Sequence, residues 1–489
     1  MTDAHANGNK TARSAIEYRH GRGDEKGEYF RENERNRLTM GLRDVRDMCC
    51  KYNNLSVHPM NTKRLTTVMD RLTDHTVLGE LLAPVGDALA RVRKPNANTS
   101  VLSMFDFIGL GVLRHLQGMH TLREQLQSLL HLAPAQAPEP PLARSTWSDA
   151  LCSARRRTVV TETIPALLGE ARTVLPDRLA GFAELGKRPV YAMDGTYQKE
   201  SAHYHRRTPR QGGRDNPKGH ALLSFYDLRL GCPADVHIDT RSRHETKLLR
   251  DYDESPQAMT RHNQALWLVD RAFIDAPFWD QKKRRLGITM ITRMKKSLII
   301  DSSESLAVTP SPVNEGVVKD QGILLRSSRE PWRLITLRTR RGTQVEFLTN
   351  EFSLEPGLIA FLYSRRWEQE KCFDTWKNDF SQAKAWGKSS VAIGNQVRLA
   401  IITSILVAML VHRKMGRHGI VDNKALRKQD RRYHSVTDGT DRPDWTAPLF
   451  RFTSKVSRQV LRFFKHCFLE SPSQALYESQ LRPMLLAYL

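Results

Sequence analysis

The spacing of apolar residues changes character along the chain, and each change marks a boundary. Between Thr39 and Leu132 apolar side chains recur at helical intervals, with Phe105, Ile108 and Val112 making one stripe and Leu122, Leu126 and Leu129 another. Residues 133–143, rich in Pro and Ala, predict a stiff linker. The following RSTWSDALCSARRR predicts a short helix. Thr146 and Asp149 are spaced as a capping box, Trp147 and Leu151 share a face, and Arg155, Arg156 and Arg157 close its C-terminus.

From Arg188 the pattern turns to strands. PVYAMDGT predicts a strand ending at Asp194, with Gly195 in the turn, and ALLSFYDLRLG with PADVHIDT predicts a hairpin about Gly231. HETKLLRDY predicts a helix. ALWLVDRAF is a continuous apolar run, the mark of a strand buried on both faces, and it ends at Asp270. A helix through Trp279 and Arg285 leads to the strand GITMITRM. Between Lys296 and Asn350 only strands are indicated (GILLRSS, WRLITLRTR, TQVEFLTN), with a turn at Arg341 and Gly342. Helix returns after Ser353, read as its N-cap, runs through Lys377, and is followed by a buried helix over 395–412.

These changes divide the chain into a polar arm (1–40), a helical region expected, from the arginines that close its short helix, to bind DNA (41–187), a first core segment (188–295), a β insertion (296–352), closing core helices (353–415) and a basic helical C-terminal region (416–489). Strands interleaved with helices, with acids at the ends of two buried strands, predict an α/β fold whose site lies at the strand ends.

Charge adds the partner. Lys and Arg number 76 against 53 Asp and Glu, a net charge of +23, with a pI near 9.9. That excess favours a polyanion, nucleic acid above all, with an anionic membrane as the rival. The apolar run Leu399 to Val411 is too short to span a bilayer and contains Thr403 and Ser404, so a buried helix is expected. Residues 1–40 lack the apolar core of a secretory signal. Six cysteines without C-x2-C spacing argue against a zinc ribbon or disulfide framework and fit a reducing cytoplasm.

The densest chemistry lies between Tyr363 and Lys377 (YSRRWEQEKCFDTWK). On one helix, Tyr363, Arg366, Glu370 and Lys377 fall within roughly 60° of each other around the axis. A solvated face of i,i+4 pairs is the ordinary meaning of such a cluster. Here Phe361, Leu362, Trp367, Phe373 and Trp376 make the segment too apolar to lie wholly in water, which favours a site for phosphates and a metal. If Asp194, Asp270 and Glu370 converge, three carboxylates would hold two Mg2+ ions about 3.5–4 Å apart, the arrangement for in-line phosphoryl displacement. Each acid alone reads as a structural or turn residue; together, on a basic chain, they read as a site.

These residues resemble insertion-sequence transposases of the DDE superfamily, in the branch named after insertion sequence four. The resemblance rests on Asp194-Gly195-Thr196, on Asp270-Arg271-Ala272-Phe273, where Ala272 stands for the usual Gly, on ITRMK at 291–295, and on the Y-x2-R-x3-E-x6-K spacing of Tyr363, Arg366, Glu370 and Lys377. It covers about residues 100–415. It implies a ribonuclease H-like core interrupted by a β-strand insertion domain, with Asp194, Asp270 and Glu370 as ligands of two Mg2+ ions, for which Mn2+ can substitute. It further implies Tyr363, Arg366 and Lys377 on the DNA phosphates, and Trp332, the one Trp of the insertion, against a flipped base. The implied reaction is cut-and-paste transposition through strand nicking, a hairpin, and strand transfer. The implied partners are double-stranded DNA, as terminal inverted repeats and target, and a second copy of the chain in a synaptic homodimer, in a bacterial cytoplasm at the nucleoid. Two other readings stay open: a transposase-derived DNA-binding protein without catalysis, and a metal-dependent nuclease of the same fold.

Two other motifs fall away. Gly387-Lys388-Ser389 mimics the end of a P-loop, but Gln382 stands where Gly is required. The histidines at 203, 205, 220, 237 and 244 lie in or near the basic loop HYHRRTPRQGGRDNPKGH, which reads more simply as a DNA-facing segment than as a metal site.

Overall fold

A computed structural model of the chain describes residues 77–92, 102–118, 121–126, 142–199, 219–239, 244–256, 258–339, 342–380, 382 and 384–418. The N-terminal arm, most of the Pro/Ala linker, the basic loop at 201–218 and the basic C-terminal region lie outside the described residues.

One mixed sheet of nine strands organises the fold. In chain order these are β1 (Val190–Lys199), β2 (Gly219–Asp227), β3 (Cys232–Asp239), β4 (Leu266–Val269), β5 (Thr289–Arg293), β6 (Ile300–Ser305), β7 (Val317–Leu325), β8 (Pro331–Arg338) and β9 (Gln344–Thr349). Their spatial order is β3-β2-β1-β4-β5-β9-β8-β7-β6. Strand β4 is parallel to both β1 and β5, and every other pairing is antiparallel. The strands expected as an insertion therefore continue the same sheet, since β9 pairs with β5 from Ile291↔Thr349 to Arg293↔Phe347. Strand β6 gave no apolar signal because all six of its residues are exposed.

The predicted hairpin is β2 and β3, and it turns at Gly231, where φ is +70° and a side chain would meet the Arg178 guanidinium. All four residues of β4 are buried, as its uninterrupted apolar run requires.

Helices cover both faces. Helices α1 (Val77–Arg91), α2 (Met104–Gln117), α3 (Arg144–Cys152) and α4 (Ala154–Val174) pack around the long α9 (Ser390–His418). They share a core with one face of the sheet: Leu82, Phe107, Val160, Met193, Phe225, Trp267, Ile401 and Ile405 belong to one apolar cluster. Helix α3 starts one turn earlier than the capping box predicts, with Ala143 as its N-cap and no side-chain bond there. The cap on this stretch is instead Ser153, whose Oγ accepts from the Arg156 N–H at the start of α4. Helix α9 is longer than its apolar run suggested, long and apolar enough to cross a membrane, but most of it is buried inside the fold.

Helices α5 (Glu245–Asp253) and α6 (Ala276–Leu286) follow β3 and β4. The opposite face of the sheet is covered by α7 (Pro356–Ser364), whose Leu358, Ile359 and Leu362 pack on Val190, Ala192, Leu266 and Leu268. Its N-cap is Glu355 rather than Ser353, with Pro356 at the first helical position, where no amide hydrogen is needed.

Candidate active site

The helix expected to run unbroken from Ser353 to Lys377 is three pieces. Helix α7 ends at Ser364, Arg365 and Arg366 form a turn, α8 spans Trp367–Asp374, and a single π turn comes next over Thr375–Asp379. Arg365 and Arg366 keep helical backbone angles across the break, so Tyr363, Arg366 and Glu370 stay on one side, with Arg366 and Glu370 paired at i,i+4. A π turn rotates the residues beyond it away from their α-helical positions. Lys377 is exposed there, its ammonium 5.8 Å from the Phe373 ring centroid, and among the described residues no ion pair joins it to an acid.

Strand geometry places the two aspartates. The parallel register pairs Met193 with Val269, and there the β1–β4 ladder ends. The next residue on each chain is an acid, Asp194 and Asp270, so the two stand side by side where adjacent strands are on the order of 5 Å apart. Asp194 is not at a strand end as predicted: β1 continues to Lys199, paired with β2. It is the β4 side of β1 that opens at this residue. Asp270 leaves the sheet into a short turn, Arg271–Phe273. Ala272 needs no positive φ in that turn, because Gln264 is the one non-glycine residue with positive φ among the described residues.

Arg366 ties the third acid in. Its Nη1 donates to Asp194 Oδ2 at 2.9 Å and its Nη2 to Glu370 Oε1 at 2.7 Å. Tyr363, buried at the end of α7, lies with its ring centroid 5.8 Å from the same guanidinium. Burial opposes the charge of Arg366, but Tyr363, Asp194, Glu370 and Asp270 together raise its pKa. Burial likewise pushes Asp194 above the usual carboxylate range, and the charges of Glu370 and Asp270 push the same way, against Arg366 and the Gly195 N–H. One guanidinium therefore offsets the cluster only in part. The structure brings together Asp194, Asp270, Glu370, Arg366 and Tyr363, and leaves Lys377 and Trp332 apart.

Trp332 is fully buried on β8, and its Nε1–H donates to Asp280 Oδ1 at 3.0 Å. Both faces of β8 are covered, and the ring packs in the apolar cluster with Ile323, Leu325 and Leu334, so it presents no face to a base. That corrects the expectation drawn from its position in the insertion. Trp367, beside Arg366, is 59% exposed.

One acid at the site escaped the sequence. Glu245, the first residue of α5, lies with its carboxylate against Gly195: a Cβ built on Gly195 would come 2.7 Å from Glu245 Oε1. Burial, then the charges of Asp194 and Asp270, raise its pKa. An acid in the first turn of a helix is ordinary, so nothing in HETKLLRDY singled it out.

The donor set suits a hard divalent cation, since it consists of carboxylate oxygens whose mutual repulsion is only partly offset. A further oxygen stands beside it. Ser224 lies directly across from Asp194 in the β1–β2 ladder, and cross-strand partners share a face. Its Oγ is buried without a hydrogen-bond partner. Among the described residues no three acid, His or Cys side chains are disposed to hold one ion, and the Arg366 guanidinium bridges Asp194 and Glu370 instead.

Residues 185–410 match the family described as transposase DDE domain, a segment that contains all of these acids. The match supports a DDE transposase. No curated protein matches the chain. Among solved structures the chain is similar to a piggyBac transposase synaptic complex with hairpin DNA, with 9% identity, a TM-score of 0.36, and coverage of 86% of this chain and 84% of that one.

Proposed function

We propose that this chain is a cut-and-paste DNA transposase of the insertion-sequence-four branch, with Asp194, Asp270 and Glu370 as its catalytic carboxylates. The observation that carries the reading is the convergence of acids from three distant segments around Arg366, inside the matched transposase domain. The β3-β2-β1-β4-β5 half of the sheet is read as a ribonuclease H-like core, and β6 to β9 as its insertion.

On this reading Asp194, Asp270 and Glu370 would hold two divalent cations, Mg2+ or Mn2+, which when bound activate the attacking oxygen and stabilise the leaving one. Arg366 and Tyr363 would orient the phosphates flanking the scissile bond, since a guanidinium makes paired bonds to phosphate as readily as to carboxylate. Lys377, exposed within the π turn, would meet the DNA backbone further out. The basic excess supplies general affinity for duplex DNA, and joining two transposon ends requires at least two copies of the chain.

The test is cleavage of a labelled duplex carrying the inverted repeats that flank the gene, with Mg2+ or Mn2+. Nicked and hairpin products from the wild type that vanish in Glu370→Gln are the expected result. End-specific binding by both proteins with cleavage by neither overturns the enzymatic reading. Cleavage without joined products would instead identify a nuclease.

A further inference from the structure

We propose that Arg366 couples metal binding to DNA binding: its guanidinium lies in the gap between Asp194 and Glu370 that a divalent cation would bridge, and a DNA phosphate frees the gap by drawing it away. The inference rests on the transposase reading and adds a regulation of the acids that the reading does not contain.

The bridge is made of direct bonds. Nη1 of Arg366 donates to Asp194 Oδ2 at 2.9 Å and Nη2 to Glu370 Oε1 at 2.7 Å, so one planar group joins the strand acid to the helix acid. A cation held by both carboxylates must enter the same gap. The two cannot share it, because a guanidinium drawn to bare carboxylates is repelled by a divalent ion seated between them.

The backbone on either side is fixed, and the side chain is what can move. Leu358, Ile359 and Leu362 hold α7 in one apolar cluster, and Phe373 holds α8 in the other. Between them the N–H groups of Arg365, Arg366, Glu368 and Gln369 each bond the carbonyl three residues back, a tight turn with its donors in use. The guanidinium itself is not fully satisfied in the bridge, since its Nε–H is buried without a hydrogen-bond partner. Ser364 and Trp367, which flank this turn, are exposed, so an oxyanion reaches it from solvent. A phosphate takes paired N–H donors as a carboxylate does.

Charge makes the two events cooperative. With the guanidinium in the bridge, an incoming cation meets a positive group as well as carboxylates. Once Arg366 is on a phosphate, Asp194 and Glu370 lack their partner just as the DNA adds negative charge, and a divalent cation offsets both. Each ligand thus favours the other, and linkage makes the two effects equal.

The experiment is Mn2+ binding to the full-length protein without DNA, by electron paramagnetic resonance of free Mn2+, for the wild type, Arg366→Gln, Arg366→Lys and Asp194→Asn. Melting temperatures establish that each is folded. Arg366→Gln should bind Mn2+ about tenfold tighter than the wild type, within the usual range of coupling between sites. Arg366→Lys keeps the charge without the paired donors and should also bind more tightly; wild-type affinity in it would mean that charge alone sets the metal affinity, and overturns the bridge. Anisotropy of the labelled inverted-repeat duplex reads the coupling from the DNA side: Ca2+ should tighten wild-type binding about tenfold relative to its effect on Arg366→Gln. An equal effect on both proteins, or an Arg366→Gln that binds Mn2+ no better than wild type while Asp194→Asn loses it, overturns the coupling and leaves the transposase reading standing. Unchanged Mn2+ affinity in Asp194→Asn removes the metal centre, and this inference with it.

Discussion

Two acids at the sheet, the half-buried Asp194 and the buried Glu351, are held in opposite electrostatic states. Glu351, just past β9, accepts from the Ser353 N–H and Oγ–H at 2.7 and 2.6 Å and from the Thr289 hydroxyl at 2.9 Å, and pairs with Arg188 at 2.6 Å. Burial alone would push it up, but Arg188 and Ser353 overcome burial and lower it to about 2. Asp194 has Arg366 and one backbone N–H against burial and two neighbouring acids, and its pKa rises. The far half of the sheet repeats the Glu351 pattern: Asp320 on β7 takes two bonds from Arg333 on β8, at 2.8 and 2.6 Å, both groups buried. Acids that hold the fold together are fully partnered, whereas acids left under repulsion mark the place where something else must bind.

Substitution can break this contrast most sharply at the site. Glu370→Gln keeps a partner for Arg366 but removes a charge, and on the proposed reading it should lower DNA cleavage by about a thousandfold or more with the melting temperature unchanged. Asp194→Asn should do the same to cleavage and melt no lower than the wild type. The sign follows from its raised pKa: the ionised form is less favoured in the folded chain than in the unfolded one, so a neutral isostere relieves the fold. A cleavage-competent Glu370→Gln, measured on the labelled duplex, would place the catalytic acid elsewhere.

Glu351→Gln inverts the outcome. It leaves the half-buried Arg188 without its counter-charge and should cost about 2 kcal/mol in denaturant unfolding, with cleavage intact below the melting transition. The same acid dictates a pH dependence. A carboxyl lowered from 4.5 to about 2 contributes stability that is fully present above pH 4.5 and is lost as pH falls towards 2. The gap between wild type and Glu351→Gln should therefore be constant from pH 7 to 5 and narrow below that; a constant gap down to pH 3 would show that the charge of Glu351 is not what stabilises the fold.

The contrast also explains what could be read from the sequence. The strands and their order of appearance were legible because buried β4 is unbroken apolar sequence and β2 and β3 flank a glycine turn. Asp194, Asp270, Arg366 and Glu370 were legible because their spacing is distinctive. Three things were not. The break at Arg365 and Arg366 is hidden because both residues are good helix formers and both keep helical backbone angles there. Strand β6 carries no inward face to leave a pattern. Glu245 reaches the site only through tertiary packing of α5, which no local spacing records.

The tryptophans give the finest version of the comparison, and the smallest effects. Trp332 and Trp367 are the same residue type in opposite surroundings, one fully buried with its Nε1–H on Asp280, the other 59% exposed. Asp280 is pushed up by burial and drawn back by the Ser328 hydroxyl and the Trp332 N–H. Trp332→Phe keeps most of the apolar volume but leaves Asp280 with one donor fewer, so it should cost about 1–3 kcal/mol in chemical denaturation. Trp367→Ala removes a ring that the core does not use and should stay within about 0.5 kcal/mol. If the two costs came out equal, the ring of Trp367 would have to pack against something in solution, and the exposed surface beside Arg366 would not be the open approach to the acids that this arrangement implies.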